Sequence, residues 1–327
     1  MTFEPGAPDP ASVQAIDTKA SVLMKRGIRL LSDAQQQDEM RDALHCFDEA
    51  LELRRRLPLD DAPALRYGLA ACWLNRADAL IRIGEATGVS AALRAYDEAL
   101  QLLRSLPLDD DPRFPRLLAI AHQNRGLALY AQGGSDIPAA VHALTDAMSV
   151  LEHDCAAPIA DRKYLMAAVW MNLANARVSE GTADSVSLAR DASLRAIALV
   201  KDSERHDADA AEVGIKARHV LCQTFACRLS LGVEVTEDDV HEATDAVDEG
   251  LALVRGWEQH TVTRFRRIAY DLFRFGARVY QKYQPQFLNE FVLEQIDPAR
   301  SSRDYVESAE IRSAAREVFG SSITKDD

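Results

Sequence analysis

Two short strings in this chain return after the same interval, and that regularity restricts the fold more than any other feature. Phe47-Asp48-Glu49-Ala50-Leu51 comes back as Tyr96-Asp97-Glu98-Ala99-Leu100, and Leu57-Pro58-Leu59-Asp60-Asp61 as Leu106-Pro107-Leu108-Asp109-Asp110, both displaced by 49 residues. Weaker copies occur at Thr145-Asp146-Ala147-Met148 and Leu194-Arg195-Ala196-Ile197, then after a longer gap at Asp248-Glu249-Gly250-Leu251. A second series precedes these in each unit: Trp73-Leu74-Asn75-Arg76-Ala77, His122-Gln123-Asn124-Arg125-Gly126 and Trp170-Met171-Asn172-Leu173-Ala174. A period of this length marks a supersecondary unit that buries its apolar face only by stacking on its neighbours.

Both series have helical spacing. Ala92, Leu93, Tyr96, Ala99, Leu100 and Leu103 recur at three- and four-residue steps and form one apolar stripe. The partner helix is predicted from about Pro63 to Ile83, with Leu69, Ala70, Trp73, Ala77 and Leu80 on a similar stripe. Gly84, Gly133 and Gly181 stand where such helices must end, because a left-handed C-terminal residue costs least as glycine. Pro58, Pro63, Pro107, Pro112, Pro115 and Pro158 fall between pairs, where a missing N–H is tolerated. No alternating strand pattern of useful length is present. The prediction is an all-α, right-handed α-solenoid of about five antiparallel helix pairs followed by C-terminal capping helices.

Trp170-Met171-Asn172-Leu173-Ala174-Asn175-Ala176, with Gly181 after it and Ala189 and Ala196 beyond, resembles a tetratricopeptide repeat. Trp73, Ala77, Gly84, Ala92, Tyr96 and Ala99 fit the same pattern, as do Gly126, Gly133, Ala140 and Ala147. Leu23 to Ala34 with Ala43, Phe47 and Ala50 supply a first unit, and Lys216 to Gly232 with Ala243, Val247 and Gly250 a degenerate fifth. The likeness covers roughly residues 18 to 256. The repeat here is about 49 residues, against 34 in that family, so longer helices and wider loops are implied. A HEAT-like or other long-helix repeat is the alternative.

The resemblance implies a concave groove lined by the first helix of each pair, which binds a peptide or helix of another protein. Transferred to this sequence, it places Leu74, Asn75, Asp78 and Arg82 in the second unit at the groove. Gln123, Asn124 and Tyr130 follow in the third, and Met171, Asn172 and Asn175 in the fourth. Members of the family that clamp a C-terminal carboxylate use lysine, arginine and asparagine there. Only Asn175 matches such a position, so that activity is not expected. Packing between neighbouring pairs is the competing role for the apolar members of this set.

From residue 261 to residue 283 the chemistry changes. Arg264, Arg266, Arg267, Arg274, Arg278 and Lys282 face only Asp271, so the stretch carries +5 in a chain whose net charge is −13. Phe265, Tyr270, Phe273, Phe275, Tyr280 and Tyr283 are interleaved with them. Arginine beside aromatic rings can neutralise phosphates and stack bases, so nucleic acid is one reading. A terminal cap with a protein-docking surface is the other, and the stronger.

The organisation expected is a disordered segment over residues 1–12, a repeat domain over 13–260, and capping helices with a short disordered tail over 261–327. Five cysteines (Cys46, Cys72, Cys155, Cys222 and Cys227) without zinc spacing predict reduced thiols and neither disulfides nor a metal site. The acidic balance disfavours a general nucleic-acid coat. No run approaches the ~20 apolar residues of a membrane span, and the first residues lack the order of a signal peptide. A cytoplasmic location and no membrane partner follow as expectations. Walker, GxSxG, HExxH and dinucleotide glycine patterns are missing, so no catalytic residue or cofactor is predicted. The functional expectation is a scaffold, adaptor or regulatory subunit, with a nucleic-acid accessory protein or a peptide-sensing regulator as alternatives.

Overall fold

The computed structural model describes residues 9–85, 87–153, 159–257 and 259–296, with all their side chains except those of 159, 160, 259–264, 266 and 296. Residues 1–8, Cys155 and the end of the capping segment, residues 297–327, lie outside these. So do the side chains of Arg264 and Arg266.

Among the described residues the regular structure is helical throughout. The α-helices are α1 (Pro10–Asp33), α2 (Gln37–Arg54), α3 (Pro63–Ile83), α4 (Gly88–Arg104), α5 (Arg113–Gln132) and α6 (Ile137–His153), then α7 (Ile159–Glu180), α8 (Ala183–Val200), α9 (Ala208–Ser230), α10 (Glu237–Gly256), α11 (Gln259–Tyr283) and α12 (Leu288–Ile296). They pack as successive pairs: α1 on α2, α3 on α4, α5 on α6, α7 on α8 and α9 on α10. The second helix of a pair also packs on the first helix of the next within each unit. The chain divides into two compact units, Met1–Pro158 and Ile159–Asp327. The first helix begins at Pro10, capped by the Asp9 carboxylate on the Ala11 N–H, and so takes in part of the segment expected to be irregular.

What lets each pair close is a seam of small residues. Ala77, Ala92 and Ala99 join α3 to α4, and Ala174, Ala189 and Ala196 join α7 to α8; all six are fully buried. In α5 and α6 the corresponding residues are Gly126, Ala140 and Ala147. At Gly126 the approach is closest, since a Cβ there would sit 2.8 Å from Leu144 Cγ and 3.3 Å from the Ala140 carbonyl oxygen. The turn between the helices of a pair repeats as well. Gly84, Gly133 and Gly181 all have φ near +70° (+72°, +69° and +70°), the left-handed region that a side chain would strain. Between pairs, Leu57 and Leu106 are buried while the following Asp60, Asp61, Asp109 and Asp110 stay in solvent. The repeated loop is thus pinned by its leucine.

Charged residues then tie one pair to the next. Arg76 of α3 donates from Nε to Asp48 of α2 at 2.6 Å, and Arg125 of α5 repeats this with Asp97 of α4 at 2.8 Å. Both residues of the clasp shift by 49 positions. Partly exposed pairs of this kind contribute about 0–1 kcal/mol each, so they set register more than stability. Two arginines are buried outright. Arg54 bonds Asp17 and Ser21 of α1 and the Gly68 carbonyl of α3, at 2.9, 2.8 and 2.6 Å. Arg218 of α9 takes both oxygens of Glu204 at 2.8 and 3.1 Å, and Glu249 of α10 at 2.8 Å from Nη2. A buried guanidinium without such partners would be costly, which makes these clusters strict requirements of the packing.

At the position occupied by Trp73 in one repeat, the next carries His122, buried with Nδ1 3.5 Å from Asp146, which also faces His142 at 3.3 Å. Burial outweighs the carboxylate and pulls the His122 pKa down to about 4.

Two predictions follow from this packing. Gly126→Val should destabilise the chain by about 2 kcal/mol, because overpacking at a helix contact outweighs the few tenths gained in helix propensity; the urea midpoint reads this, and an unchanged midpoint would mean the seam separates at no cost. For His122 the native pKa is depressed, so the unfolded chain takes up a proton first as pH falls below about 6.5. Stability should therefore be full above that pH and decline towards pH 4 by up to about 3 kcal/mol. His122→Gln should flatten this part of the curve relative to wild type, as read by urea midpoints across the window. Asp78 and Asp248, whose pKa values burial raises, act in the opposite sense but equally in both proteins.

Candidate functional site

In the N-terminal unit the first-helix residues are largely consumed by the fold. Leu74 is buried. Asn75 turns back to the Ala71 carbonyl at 2.8 Å. The Asp78 carboxylate accepts from Tyr96 of α4 at 2.6 Å and from Asn124 of α5 at 3.0 Å, so one acid binds three helices together. Burial raises the Asp78 pKa against the two hydrogen bonds, and raises that of the Tyr96 hydroxyl too. Arg82 is exposed along its stem but gives Nη1 to the Leu31 carbonyl at 2.5 Å. Gln123 and Tyr130 are half-buried, and Gln123 Oε1 is shielded from solvent without a hydrogen-bond donor among the described residues.

The C-terminal unit treats its share similarly. Met171 is buried, while Asn172 and Asn175 are half-buried, with the Asn175 amide 3.9 Å from Met171 Sδ. None of these asparagines points to a carboxylate-binding cluster.

A roomy opening in the N-terminal unit lies on the second helices instead. Between α2 and α4 is a cavity of about 790 Å³, with Trp73 and Arg76 of α3 contributing to its wall. His45, Glu49 and Arg55 line it from α2, Arg94 and Glu98 from α4, and Lys19 and Leu23 from α1. Trp73 sits under the Arg55 guanidinium at 4.8 Å and beside that of Arg76 at 5.8 Å. Arg55 is in turn held by Glu52 at 2.9 Å, and Arg76 by Asp48 at 2.6 Å. A large aromatic surface is therefore kept in place by cations that are themselves oriented, which is worth about 0.5–1 kcal/mol per contact at partly exposed sites. Trp170 of α7 repeats the motif under Arg195 at 4.8 Å. Sequence reasoning placed Trp73 on a packing stripe and missed the cavity, since neither α2 nor α4 carries an apolar outer face to announce it.

The helix rich in both cations and aromatics sorts them by side. Phe265 and Phe273 are fully buried and Tyr280 is 7% exposed, all within the core shared by α9, α10 and α12. Phe275 and Tyr283 meet the Phe225 edge at 6.0 Å each. Tyr280 gives its hydroxyl to Asp248 of α10 at 2.5 Å. Arg267, Arg278 and Lys282 are exposed, and Arg274 is half-buried with its guanidinium 5.3 Å from the Tyr270 ring. Three of the six rings are thus inside and three half-buried, while of the described cations Arg267, Arg278 and Lys282 are outside.

Reactive side chains are withdrawn. Cys46, Cys72 and Cys222 are buried and Cys227 partly so, and burial raises all four thiol pKa values. His219 of α9 is pulled down by burial. Among the described residues no group of three or more His, Cys, Asp or Glu could hold a metal ion, and no helix is long and apolar enough to cross a membrane.

No family model matches this chain, and no curated protein matches it. Among solved structures, a de novo designed helical repeat protein is similar over 82% of this chain and 95% of its own, at 15% identity and with a TM-score of 0.21. The helical-repeat architecture of the chain rests on its own recurring pairs.

Proposed function

We propose that this chain is a tetratricopeptide-like, non-catalytic scaffold or adaptor of bacterial cytoplasm that holds another protein. The observation that carries this reading is the cavity between α2 and α4, where Trp73 stands among oriented arginines on a rigid pair of repeats. Tryptophan and arginine are the side chains that most often dominate protein–protein binding energy, and they do so when a firm surround excludes water from them. The volume exceeds what one side chain fills, so it suits a short segment of a partner. The first-helix face of the N-terminal unit offers a second place of contact through Arg82, Gln123 and Tyr130, and that of the C-terminal unit another at Asn175, but several of these polar groups already serve the fold. The exposed cations of α11 offer a third surface.

The test is affinity capture of the full chain with quantitative identification of the retained protein. Arg94→Glu combined with Glu98→Arg alters the outer rim of the cavity without touching the small-residue seam. It should lower the recovery of a specific partner about tenfold while leaving the thermal midpoint in place. Equal recovery by this variant, by Arg82→Glu and by Asn175→Trp would sink both grooves.

A further inference from the structure

One side of α11 bears a row of charges, in which Arg267, Arg278 and Lys282 are exposed and Asp271 and Arg274 half-buried. Arg267, Asp271, Arg274, Arg278 and Lys282 follow one another at steps of four, three, four and four residues, which keeps them on a single helical face. At 1.5 Å of rise per residue the row is about 22 Å long. The opposite face is the one that carries Phe265, Leu272, Phe273 and Tyr280 into the core. The row is thus held straight by a packed backing, in a chain whose net charge is −13.

We propose that this ridge docks an acidic amphipathic helix of a partner protein. The inference rests on the reading of the chain as a protein-binding scaffold, and it names the chemistry of one partner surface. Charge complementarity argues for it. Four cations and one carboxylate along a rigid rod match a helix that presents glutamates at three- and four-residue steps with one basic residue among them. Nucleic acid fits less well. Its unpaired bases need exposed rings, and of the six on this helix Phe265, Phe273 and Tyr280 are buried while Tyr270, Phe275 and Tyr283 are half-buried, so none stands fully in solvent. Asp271 lies within the row and would face phosphate, and the strongly acidic remainder of the chain repels a long polyanion. A helix of about five turns touches only the ridge and avoids that repulsion.

The experiment uses the full chain and a labelled synthetic 20-residue peptide with glutamates at the matching steps. Three controls are the same peptide with glutamine for glutamate, a scrambled acidic peptide of equal charge, and a single-stranded RNA of similar length. Fluorescence anisotropy at about 50 mM and about 200 mM salt reads the affinity. The expected result is binding of the patterned acidic peptide that weakens with salt. The Arg267→Glu, Arg278→Glu, Lys282→Glu triple variant should weaken it at least about tenfold with an unchanged helical circular dichroism spectrum. All three positions are solvent-exposed, so the triple variant should fold. Equal affinity for the glutamine or the scrambled peptide overturns the proposal, as does a triple variant that binds normally. Tighter, triple-sensitive binding of the RNA also overturns it and installs the nucleic-acid reading. A failed ridge alongside a partner that is still lost in the α2–α4 rim variant leaves the scaffold reading standing; absence of both effects removes both.

Discussion

Everything in this molecule depends on how closely the two helices of a pair can approach. The seam positions 77, 92 and 99, then 126, 140 and 147, then 174, 189 and 196 are alanine in every case but one, and the exception is glycine. Larger side chains there would push the helices apart and open the apolar stripes that flank them, such as Tyr96, Leu100 and Leu103 against Leu74. An alanine buries little area of its own, so its contribution comes through its neighbours: it lets each flanking leucine gain the ~1.5–3 kcal/mol that full burial brings. The turn glycines at φ near +70° serve the same end by reversing the chain within a few residues. Small residues set the spacing, and large ones supply the energy.

Connection from pair to pair follows a different rule. Here the interface is pinned by polar contacts whose partners come from separate repeats. Asp78 draws together α3, α4 and α5, and the Asp–Arg clasp recurs at 48/76 and 97/125. A single exposed clasp is weak, but each one disfavours a slip of one helical turn between neighbours. Arg54 and Arg218 do this more forcefully, because a slipped register would leave a guanidinium buried without acceptors. Such contacts stabilise one arrangement against its close competitors more than they add to total stability.

These two rules account for what was legible in the sequence. The seam and the turns are local and periodic, so the strings around Ala77, Gly84 and Ala92 predicted a helix from Pro63 to Ile83 that forms with those bounds. The aromatic–basic stretch read as a cap, and its rings do fill the core of the C-terminal unit. The polar side chains were harder because their partners are distant in sequence: Asn124 meets Asp78 across 46 residues and Arg82 meets Leu31 across 51. The tetratricopeptide resemblance put them at an outer groove. Arg218 gives no sequence signal at all, since Glu204 sits in a turn and Glu249 one repeat element later. Nor does the division after Pro158 show in composition. The repeated strings themselves are short, and 49 residues separate their copies at positions 47 and 96.

A position that belongs to neither rule is free to vary, and the slot held by Trp73, His122 and Trp170 illustrates this. It follows the first-helix register in all three repeats but lies off the seam. In one repeat it holds an indole beneath Arg55 beside an open cavity, in the next a neutral imidazole locked near Asp146, and in the third an indole beneath Arg195. The backbone around each is alike, so the three chemistries cannot be demands of the helix pair. They reflect what each repeat meets on that side, whether Arg55 and Arg76 beside an open cavity, the half-buried Asp146, or Arg195. In an array whose interior is fixed by alanine and glycine, differences of this kind are where one repeat acquires a task that the next does not have.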